Sequence, residues 1–253
     1  SANLGFELDK NTFETIVSKA HSIHAVSAER IRDELVKVFT GPRPVEGLHL
    51  LSETQLLKEI LPEIEAMKGV EQPAEFHPEG DVYIHTKMLL DQLSRPDLVL
   101  AFGSLLHDVG KPPTQSFQDR IRFNNHQNVG AKMAEFILKR LRFSNQQIED
   151  IVACVANHMK FKDVKLMREA KLRRFISTPT FIKELEMHRI DCLASHGMLD
   201  NHQFLIEKFT EYQKEEPRPE PLMTGRDLIH MGFRPGPIFK EIFFKGFDVF
   251  FRD

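Results

Sequence analysis

The 253-residue chain has the composition of an ordinary soluble protein, with 41% apolar residues, 28% charged residues and a net charge of -3. This length allows one large or two small domains, and the two cysteines, Cys154 and Cys192, exclude a disulfide framework and favour a reducing compartment. No apolar run approaches the ~20 residues that span a bilayer, and the first residues lack a signal-peptide pattern. We therefore expect a cytoplasmic protein with no membrane partner.

The charge is distributed unevenly along the chain. Residues 1–80 contain 8 basic and 14 acidic residues, whereas residues 139–174 contain 10 basic and 4 acidic ones. A basic surface attracts phosphate groups, but a solvated helix face has the same composition. The charges alone leave both interpretations open.

The pattern in the first third of the chain predicts short helices. Ser27 is a candidate N-cap for an amphipathic helix that continues to residue 39, and the sequence GPRP at 41–44 ends it. Residues 45–64 predict two short helices, with Ser52 as a second candidate N-cap. Residues 68–81 contain two prolines and two glycines and predict a loop or linker.

The rest of the chain also predicts helices. Apolar residues recur at a spacing near 3.6 in six segments, which are 82–93, 96–109, 128–141, 145–159, 169–176 and 179–196. Residues 214–221 (KEEPRPEP) predict a second linker. Since we find no alternating strand pattern and no repeat, the predicted fold class is all-α.

A His-Asp pair ends one of these apolar helices. In SLLHDVGKPPT, residues 104–114, His107 and Asp108 are followed by Gly110 and Lys111. About 0.7 His-Asp pairs are expected by chance in this composition, but adding the glycine and lysine makes the combination rare. A helix that buries leucines has no packing reason to end in this pair, so the motif indicates half of a metal site.

Further candidate ligands occur on other predicted helices, and they are His85, His126, His158 and Asp191. A divalent ion of intermediate hardness accepts imidazole nitrogen and carboxylate oxygen together. Asp108 can bridge two such ions, each of which lowers the pKa of a bound water, and Lys111 is placed to meet a phosphate oxygen. These parts indicate a phosphohydrolase in which hydroxide attacks phosphorus.

The segments that carry these residues resemble a known family. HTKMLLDQL, LLHDVGKPPT, FNNHQNVGAKMAEFILKRLRFS, ANHM and HRIDCLASHG resemble the HD-domain phosphohydrolase pattern found inside bacterial tRNA nucleotidyltransferases and poly(A) polymerases. Residues 27–64 are similar to the neck of those polymerases, with Arg30, Asp33 and Glu34 in the segment ERIRDEL. Residues 221–242 resemble the segment after the HD part, so the resemblance covers roughly residues 3–242.

The resemblance implies a domain organisation. It implies a helical neck on the RNA and nucleotide side, a linker, an HD domain and a helical tail, over residues 1–67, 68–81, 82–213 and 214–253. It also implies partners, namely RNA (tRNA or other RNA 3′ ends) and phosphorylated nucleotides.

The resemblance further implies an activity and a ligand set. HD parts of this family are credited with hydrolysis of 2′,3′-cyclic phosphates and 2′-nucleotides. Asp108 and Lys111 would be catalytic, and one or two divalent ions (Mn, Ni, Co, Fe or Mg) would be bound. The implied ligands are His85, His107, Asp108 and Asp191, with His126 and His158 added for a second ion.

The chain departs from the family pattern at both ends. The polymerase head needs a Gly-Gly loop and two strand-borne carboxylates that hold two Mg ions, and neither feature is in this sequence. We therefore expect a fragment that does not polymerise by itself, and the neck alone does not separate CCA addition from poly(A) synthesis. The phenylalanines of the last residues have helical spacing, which fits a terminal helix packed on the core or a contact with a partner; they are Phe243, Phe244, Phe247, Phe250 and Phe251.

Three arginines are candidate RNA or phosphate ligands. Arg173 and Arg174 precede Phe175, so they fit cation and stacking contacts to RNA or a helix whose Phe175 is core. Arg226 follows Thr224 and Gly225, and it fits either a phosphate contact or a helix start capped by Thr224. Three functions stay open at this point: a phosphohydrolase, an RNA-binding and specificity scaffold with a non-catalytic HD fold, and a nucleotide-binding sensor.

Overall fold

The architecture is helical, as the sequence predicts, apart from one short β-hairpin. The computed structural model describes residues 5–73, 75, 78, 80–93, 95–117, 119–214, 225–234 and 236. None of the helices in these ranges is both long enough and apolar enough to cross a membrane.

The elements before the His-Asp pair are all helices. In chain order they are α1 (Lys10–Lys19), a 3₁₀ helix (Ala20–Ala25), α2 (Ala28–Phe39), α3 (Pro44–Glu53), α4 (Leu56–Ile60), α5 (Pro62–Glu65), α6 (Val82–Asp91) and α7 (Leu98–Leu106). The elements after it are α8 (Lys111–Thr114), β1 (Gln115–Phe117), β2 (Ile121–Phe123), α9 (His126–Arg140), α10 (Asn145–Asn157), a second 3₁₀ helix (His158–Leu166), α11 (Glu169–Ile176), α12 (Phe181–Ala194), α13 (Asp200–Lys214) and α14 (Gly225–His230).

The hairpin corrects the expectation that the chain has no strands. Strands β1 and β2 are antiparallel, with Gln115 opposite Phe123 and Phe117 opposite Ile121. Three-residue strands are too short to show an alternating pattern, so they could not be predicted from the residue pattern. The hairpin returns the chain to the start of α9.

The two predicted N-caps have different outcomes. Ser27 occupies the N-cap position of α2, as predicted, but its side chain makes no capping hydrogen bond to the described residues. Ser52 is not an N-cap, because it lies inside α3 and its hydroxyl accepts a hydrogen bond from Lys68 Nζ at 2.6 Å. The chain turns instead at Gln55, whose φ of 62° places it in the left-handed region just before α4.

One hydrophobic core joins the early helices to the helices of the metal-site region. It includes buried residues of α2 to α5 and of α6, α7, α9, α10 and α12. Phe39 of α2 packs edge-on against Phe102 of α7, with ring centroids 5.8 Å apart, and Phe102 packs in the same way against Phe143 at 4.9 Å. The early helices therefore bury their apolar faces on the later ones.

A second hydrophobic cluster lies farther along the chain. It is formed by Phe161, Phe175, Phe181 and Leu205, together with smaller neighbours, from the second 3₁₀ helix to α13. By its internal contacts the chain divides into two compact units, Ser1–Tyr212 and Gln213–Asp253. Both hydrophobic clusters belong to the first unit.

Candidate metal centre

The structure brings all six predicted metal ligands into one buried cluster. Each comes from a different position of the helical core: His85 from α6, His107 and Asp108 from the turn after α7, His126 from the first residue of α9, His158 from the first residue of the second 3₁₀ helix, and Asp191 from α12. The four histidines and Asp108 are at most 8% exposed, whereas the Asp191 side chain is 27% exposed. Asp191 is therefore the most exposed of the six side chains.

N-cap residues determine where two of these helices begin. The Asp81 carboxylate accepts a hydrogen bond from the Ile84 amide at 2.9 Å and starts α6, so that His85 lies in its first turns. The Asp97 carboxylate accepts hydrogen bonds from Val99 and Leu100 at the start of α7.

A close backbone contact sets the distance between the His-Asp pair and His126. A Cβ atom on Gly110 would lie 2.2 Å from the carbonyl oxygen of His126 and 2.5 Å from the amide nitrogen of Gly130. Only glycine allows the start of α8 to approach α9 this closely. The glycine of the HDVGK motif therefore has a packing role.

Asp108 lies between two groups of histidines. Its Oδ2 is 3.1 Å from His107 Nε2 and 4.0 Å from His85 Nε2, while its Oδ1 is 3.5 Å from His126 Nε2 and 3.8 Å from His158 Nε2. The donor atoms form two sets, each within 4.8 Å; these are His85, His107 and Asp191, and Asp108, His126 and His158. One carboxylate thus faces both sets with different oxygens.

Backbone carbonyls fix the tautomers of three histidines. The Nδ1 atoms of His107, His126 and His158 donate to the carbonyl three residues earlier, at 2.8, 2.8 and 2.7 Å. A carbonyl only accepts, so each Nδ1 carries a proton, and in its neutral form each ring presents the lone pair of Nε2 to the cluster. This is the usual arrangement of metal-binding histidines.

Two of these lone pairs face each other without a proton between them. His126 Nε2 and His158 Nε2 are 3.0 Å apart. Burial lowers the pKa of His158 to about 3, and it also lowers the pKa of His126, because a buried imidazole is disfavoured in its charged form. A cation shared by the two nitrogens would remove their repulsion.

The carboxylates of the cluster are held in their charged form. Burial raises the pKa of Asp108, but the neighbouring His107 ring and the Lys111 ammonium outweigh burial and hold this pKa well below its usual range. Burial also raises the pKa of Asp191, and the hydrogen bond from His85 at 3.0 Å outweighs it and lowers the pKa. Charged carboxylates and neutral imidazoles are the forms that bind metal ions.

Lys111 is buried beside Asp108. Its ammonium is 2.7 Å from Asp108 Oδ2, donates to Gln72 Oε1, and lies 5.5 Å from the ring centroid of Phe123. An ammonium has three N–H donors, so one remains for a phosphate oxygen. The predicted phosphate contact stays a prediction.

Gln72 is the site residue that the sequence did not reveal. It is 5% exposed, and its Nε2 has no hydrogen-bond partner among the described residues. It comes from the polar segment before α6, where a glutamine carries no recognisable signal.

The predicted neck residues line one groove. Arg30, Asp33 and Glu34 all lie on α2 and border a groove of about 410 Å³, whose walls also include Ile23 and Ile60. They form a group separate from the metal ligands. Their role on the nucleotide side stays a prediction.

The predicted RNA-binding arginines lie on α11 and α14. Arg173 bonds to Glu169 at 3.0 Å and its guanidinium stacks on Tyr212 at 3.9 Å, while Arg174 is exposed. Arg226 belongs to α14, but its side chain lies outside the described residues, as do Thr224 and the five phenylalanines of residues 243–251. A role of these residues in RNA binding stays a prediction.

Two family profiles match the chain. Residues 5–68 match the family described as "Probable RNA and SrmB- binding site of polymerase A", and residues 80–216 match the HD domain. The second match covers more than half of the chain and contains every residue of the buried cluster.

Curated relatives include enzymes that act on tRNA. The chain is 29% identical to the CC-adding tRNA nucleotidyltransferase of Thermus thermophilus and 30% identical to the A-adding tRNA nucleotidyltransferase of Deinococcus radiodurans, in each case over 94% of the chain. It is 32% identical to the Multifunctional CCA protein of Stenotrophomonas maltophilia over 67% of the chain. The chain spans 57%, 59% and 43% of the lengths of these three relatives.

Proposed function

This chain belongs to the HD-domain family and shares the RNA-binding segment of bacterial tRNA nucleotidyltransferases, and on this premise we propose that its buried cluster is a metal-dependent phosphohydrolase site. The substrate class that we propose is a 2′,3′-cyclic phosphate or a phosphomonoester, such as one at an RNA 3′ end.

The pair of opposed imidazoles carries this proposal. His126 Nε2 and His158 Nε2 are 3.0 Å apart with their Nδ1 protons committed to carbonyls. The buried Nε2 of His107 likewise has no hydrogen-bond partner among the described residues. Such an arrangement costs free energy unless a cation is shared, so the residues fit a metal centre.

The donor set suits one or two divalent transition-metal ions. Imidazole with carboxylate favours Mn, Fe, Co or Ni over a hard ion in an all-oxygen site. The first ion would be held by His85, His107, Asp108 and Asp191, and the second by Asp108 with His126 and His158. A bound ion would stabilise charge on the phosphoryl oxygens and lower the pKa of a coordinated water.

The protein's own residues would orient the substrate. Lys111 has one uncommitted N–H and its charge offsets that of Asp108, so it would donate to a non-bridging phosphate oxygen. Gln72 holds the lysine ammonium from the other side. The carbonyl bonds of His107, His126 and His158 would keep their Nε2 atoms directed at the centre during turnover.

The chain has four segments in this proposal. We propose that residues 1–67 form the neck-type region that meets nucleotide and RNA, that residues 68–81 connect it to the HD part at 82–213, and that residues 214–253 form the tail. RNA and phosphorylated nucleotides would be the partners. In a longer parent protein, addition of CCA or adenylate would require a separate head with its own Mg ions.

Metal analysis combined with a phosphatase screen tests the site. Purified protein is expected to contain Mn, Fe, Co or Ni and to hydrolyse 2′,3′-cyclic AMP or p-nitrophenyl phosphate. Asp108→Ala should lose the metal and lower turnover by more than the ~10–100-fold typical of losing an outer-shell partner. Asp119→Ala is the matched control, because Asp119 is an exposed aspartate paired with Arg122 at 2.8 Å.

Other outcomes favour the alternatives. Metal-free, inactive protein that still binds tRNA would favour an RNA-binding scaffold, for which the exposed basic residues of 160–174 are the supporting observation. Tight mononucleotide binding without product would favour a sensor. Turnover that survives in Asp108→Ala would contradict the proposed site.

A further inference from the structure

A second group of metal-ligating side chains lies on the surface of the early helices. His21 Nδ1 is 3.1 Å and His24 Nε2 is 2.8 Å from the same oxygen of Glu59, Oε2. The three ligand atoms all lie within 4.8 Å of one another. The group shares no residue with the buried cluster.

The backbone brings the three side chains together. His21 and His24 are three residues apart on the first 3₁₀ helix, where side chains at i and i+3 lie directly above each other. Glu59 comes from α4, in which Leu57, two residues before Glu59, is fully buried in the core. Ala20, next to His21, is also buried. The convergence therefore depends on packed backbone segments 38 residues apart.

We propose that His21, His24 and Glu59 form a surface site for a borderline transition-metal ion, specifically Zn²⁺, that ties the first 3₁₀ helix to α4. Two imidazoles and one carboxylate are one of the three-ligand sets found in open zinc sites, whose fourth position is left to solvent. Hard ions such as Ca²⁺ and Mg²⁺ prefer oxygen ligands throughout. The inference is independent of the function proposed for the buried cluster.

The distances fit this ion after a small adjustment. Zn–N and Zn–O bonds of about 2.0–2.2 Å in a tetrahedron separate neighbouring ligand atoms by roughly 3.3 Å, and the observed separations from the carboxylate oxygen are 2.8 and 3.1 Å. The side chains of His21 and His24 are 88% and 54% exposed, so both rings can rotate outward without disturbing the core.

The early part of the chain carries an excess of acidic residues. Residues 1–80 contain 14 acidic and 8 basic residues, and such an excess of negative charge raises the local concentration of positive ions. The exposed rings also leave the fourth position open to a ligand from solvent or from a bound molecule.

Zinc titration of the intact chain tests the proposal. Wild-type protein is expected to bind one ion that His21→Ala, His24→Ala and Glu59→Gln each lose, measured by calorimetry at neutral pH. Cobalt substitution should give visible d–d absorption from this site, and the same variants should lose that absorption. Zinc should raise the melting temperature of wild-type protein more than that of the variants.

Two controls separate this site from others. His49 and Glu53 form an exposed pair at 3.3 Å that belongs to no three-ligand group among the described residues, so His49→Ala should bind as wild type does. Asp108→Ala should lose ions of the buried cluster and keep the surface ion. The proposal is wrong if His21→Ala binds as many zinc ions, with the same affinity, as His49→Ala.

Discussion

At the scale of single residues, Asp108 is the point where the two donor sets meet. Its two oxygens face different histidines, which is how one carboxylate can serve two ions. Removing a ligand from only one set should therefore leave the ion of the other set bound. This separation can be measured as metal stoichiometry.

His126→Ala is expected to remove one ion and retain the other. His126 contacts Asp108 Oδ1 and His158, whereas the set of His85, His107 and Asp191 stays intact. Elemental analysis should show one ion fewer per chain than in wild-type protein that binds two. If both ions were lost, the two sets would not be separable as the geometry indicates.

Lys111→Met is expected to destabilise the metal-free protein. The substitution leaves the buried carboxylate of Asp108 without its cation, and breaking a buried pair in this way costs about 3–5 kcal/mol. Saturation with Mn²⁺ should recover much of this loss, because the ion replaces the missing charge. Urea unfolding with and without Mn²⁺ measures both effects, and an equal loss in the two conditions would contradict the argument.

Glu184 is a buried titrating group that is not among the candidate metal ligands, and we expect it to make stability depend on pH. It is fully buried, and burial raises its pKa although Thr180 and Asn157 donate hydrogen bonds to it. A raised folded-state pKa means that the folded protein binds the proton more tightly, so stability falls as pH rises from about 4.5 through the folded pKa.

The matched variant for this prediction is Glu184→Gln. It removes the titrating group and keeps an oxygen acceptor, so the unfolding free energy of wild type minus that of the variant should decrease as pH rises from 4.5 to 7.5. Urea unfolding at a series of pH values measures it. A difference that is constant or increases with pH would contradict the raised pKa.

The grouping of the six candidate ligands could be predicted from the sequence, but the groups that support them could not. The His-Asp pair with Gly110 and Lys111 is rare enough to be recognised, and its partners follow the family order. Gln72 lies in a polar segment without a pattern, and the carbonyls that accept from the histidines are backbone atoms, which every residue has. Their role depends on backbone geometry, which the sequence does not encode locally.

At the scale of elements, the approach of α8 to α9 determines the distance between the two donor sets. Gly110→Ala would place a Cβ atom 2.2 Å from the His126 carbonyl, so one of the two backbones must move. We expect a loss of about 1–3 kcal/mol, typical of overpacking, together with weaker binding of the second ion.

Gly130→Ala provides a graded control for this prediction. Its Cβ would meet Gly110 at 3.2 Å, a contact that small shifts can relieve. Thermal unfolding and metal titration of both variants should show the larger effect in Gly110→Ala. Equal effects would show that the close contact does not set the spacing.

The long helices were predictable as elements because their apolar residues recur at helical spacing over several turns, as in α9 and α10. The hairpin and the turn at Gln55 were not, because each depends on a few residues. The hairpin strands are three residues long, and Ser52 has N-cap chemistry in a segment where packing continues the helix. Tertiary contacts decide such short features.

At the scale of the whole molecule, the early helices and the HD region share one core. Arg140 of α9 adds a polar connection, since its guanidinium makes two bonds to the Glu63 carboxylate, at 2.7 and 2.8 Å. We therefore expect residues 28–194 to unfold in a single transition.

Phe39→Ala tests this expectation. Phe39 is fully buried against Phe102, so truncation should cost about 3–5 kcal/mol. Hydrogen exchange should then accelerate in α7 as well as in α2, because both lose the same packing. Faster exchange confined to α2 would contradict a shared core.

The shared core also limits how this chain can be recombined. Two family segments that are separate in sequence are joined by interlocked aromatic rings and a forked ion pair, so the border between them is not a place to cut. An HD segment transplanted alone into another protein would expose the face of Phe102 to water, and a successful chimera would have to carry the preceding helices with it.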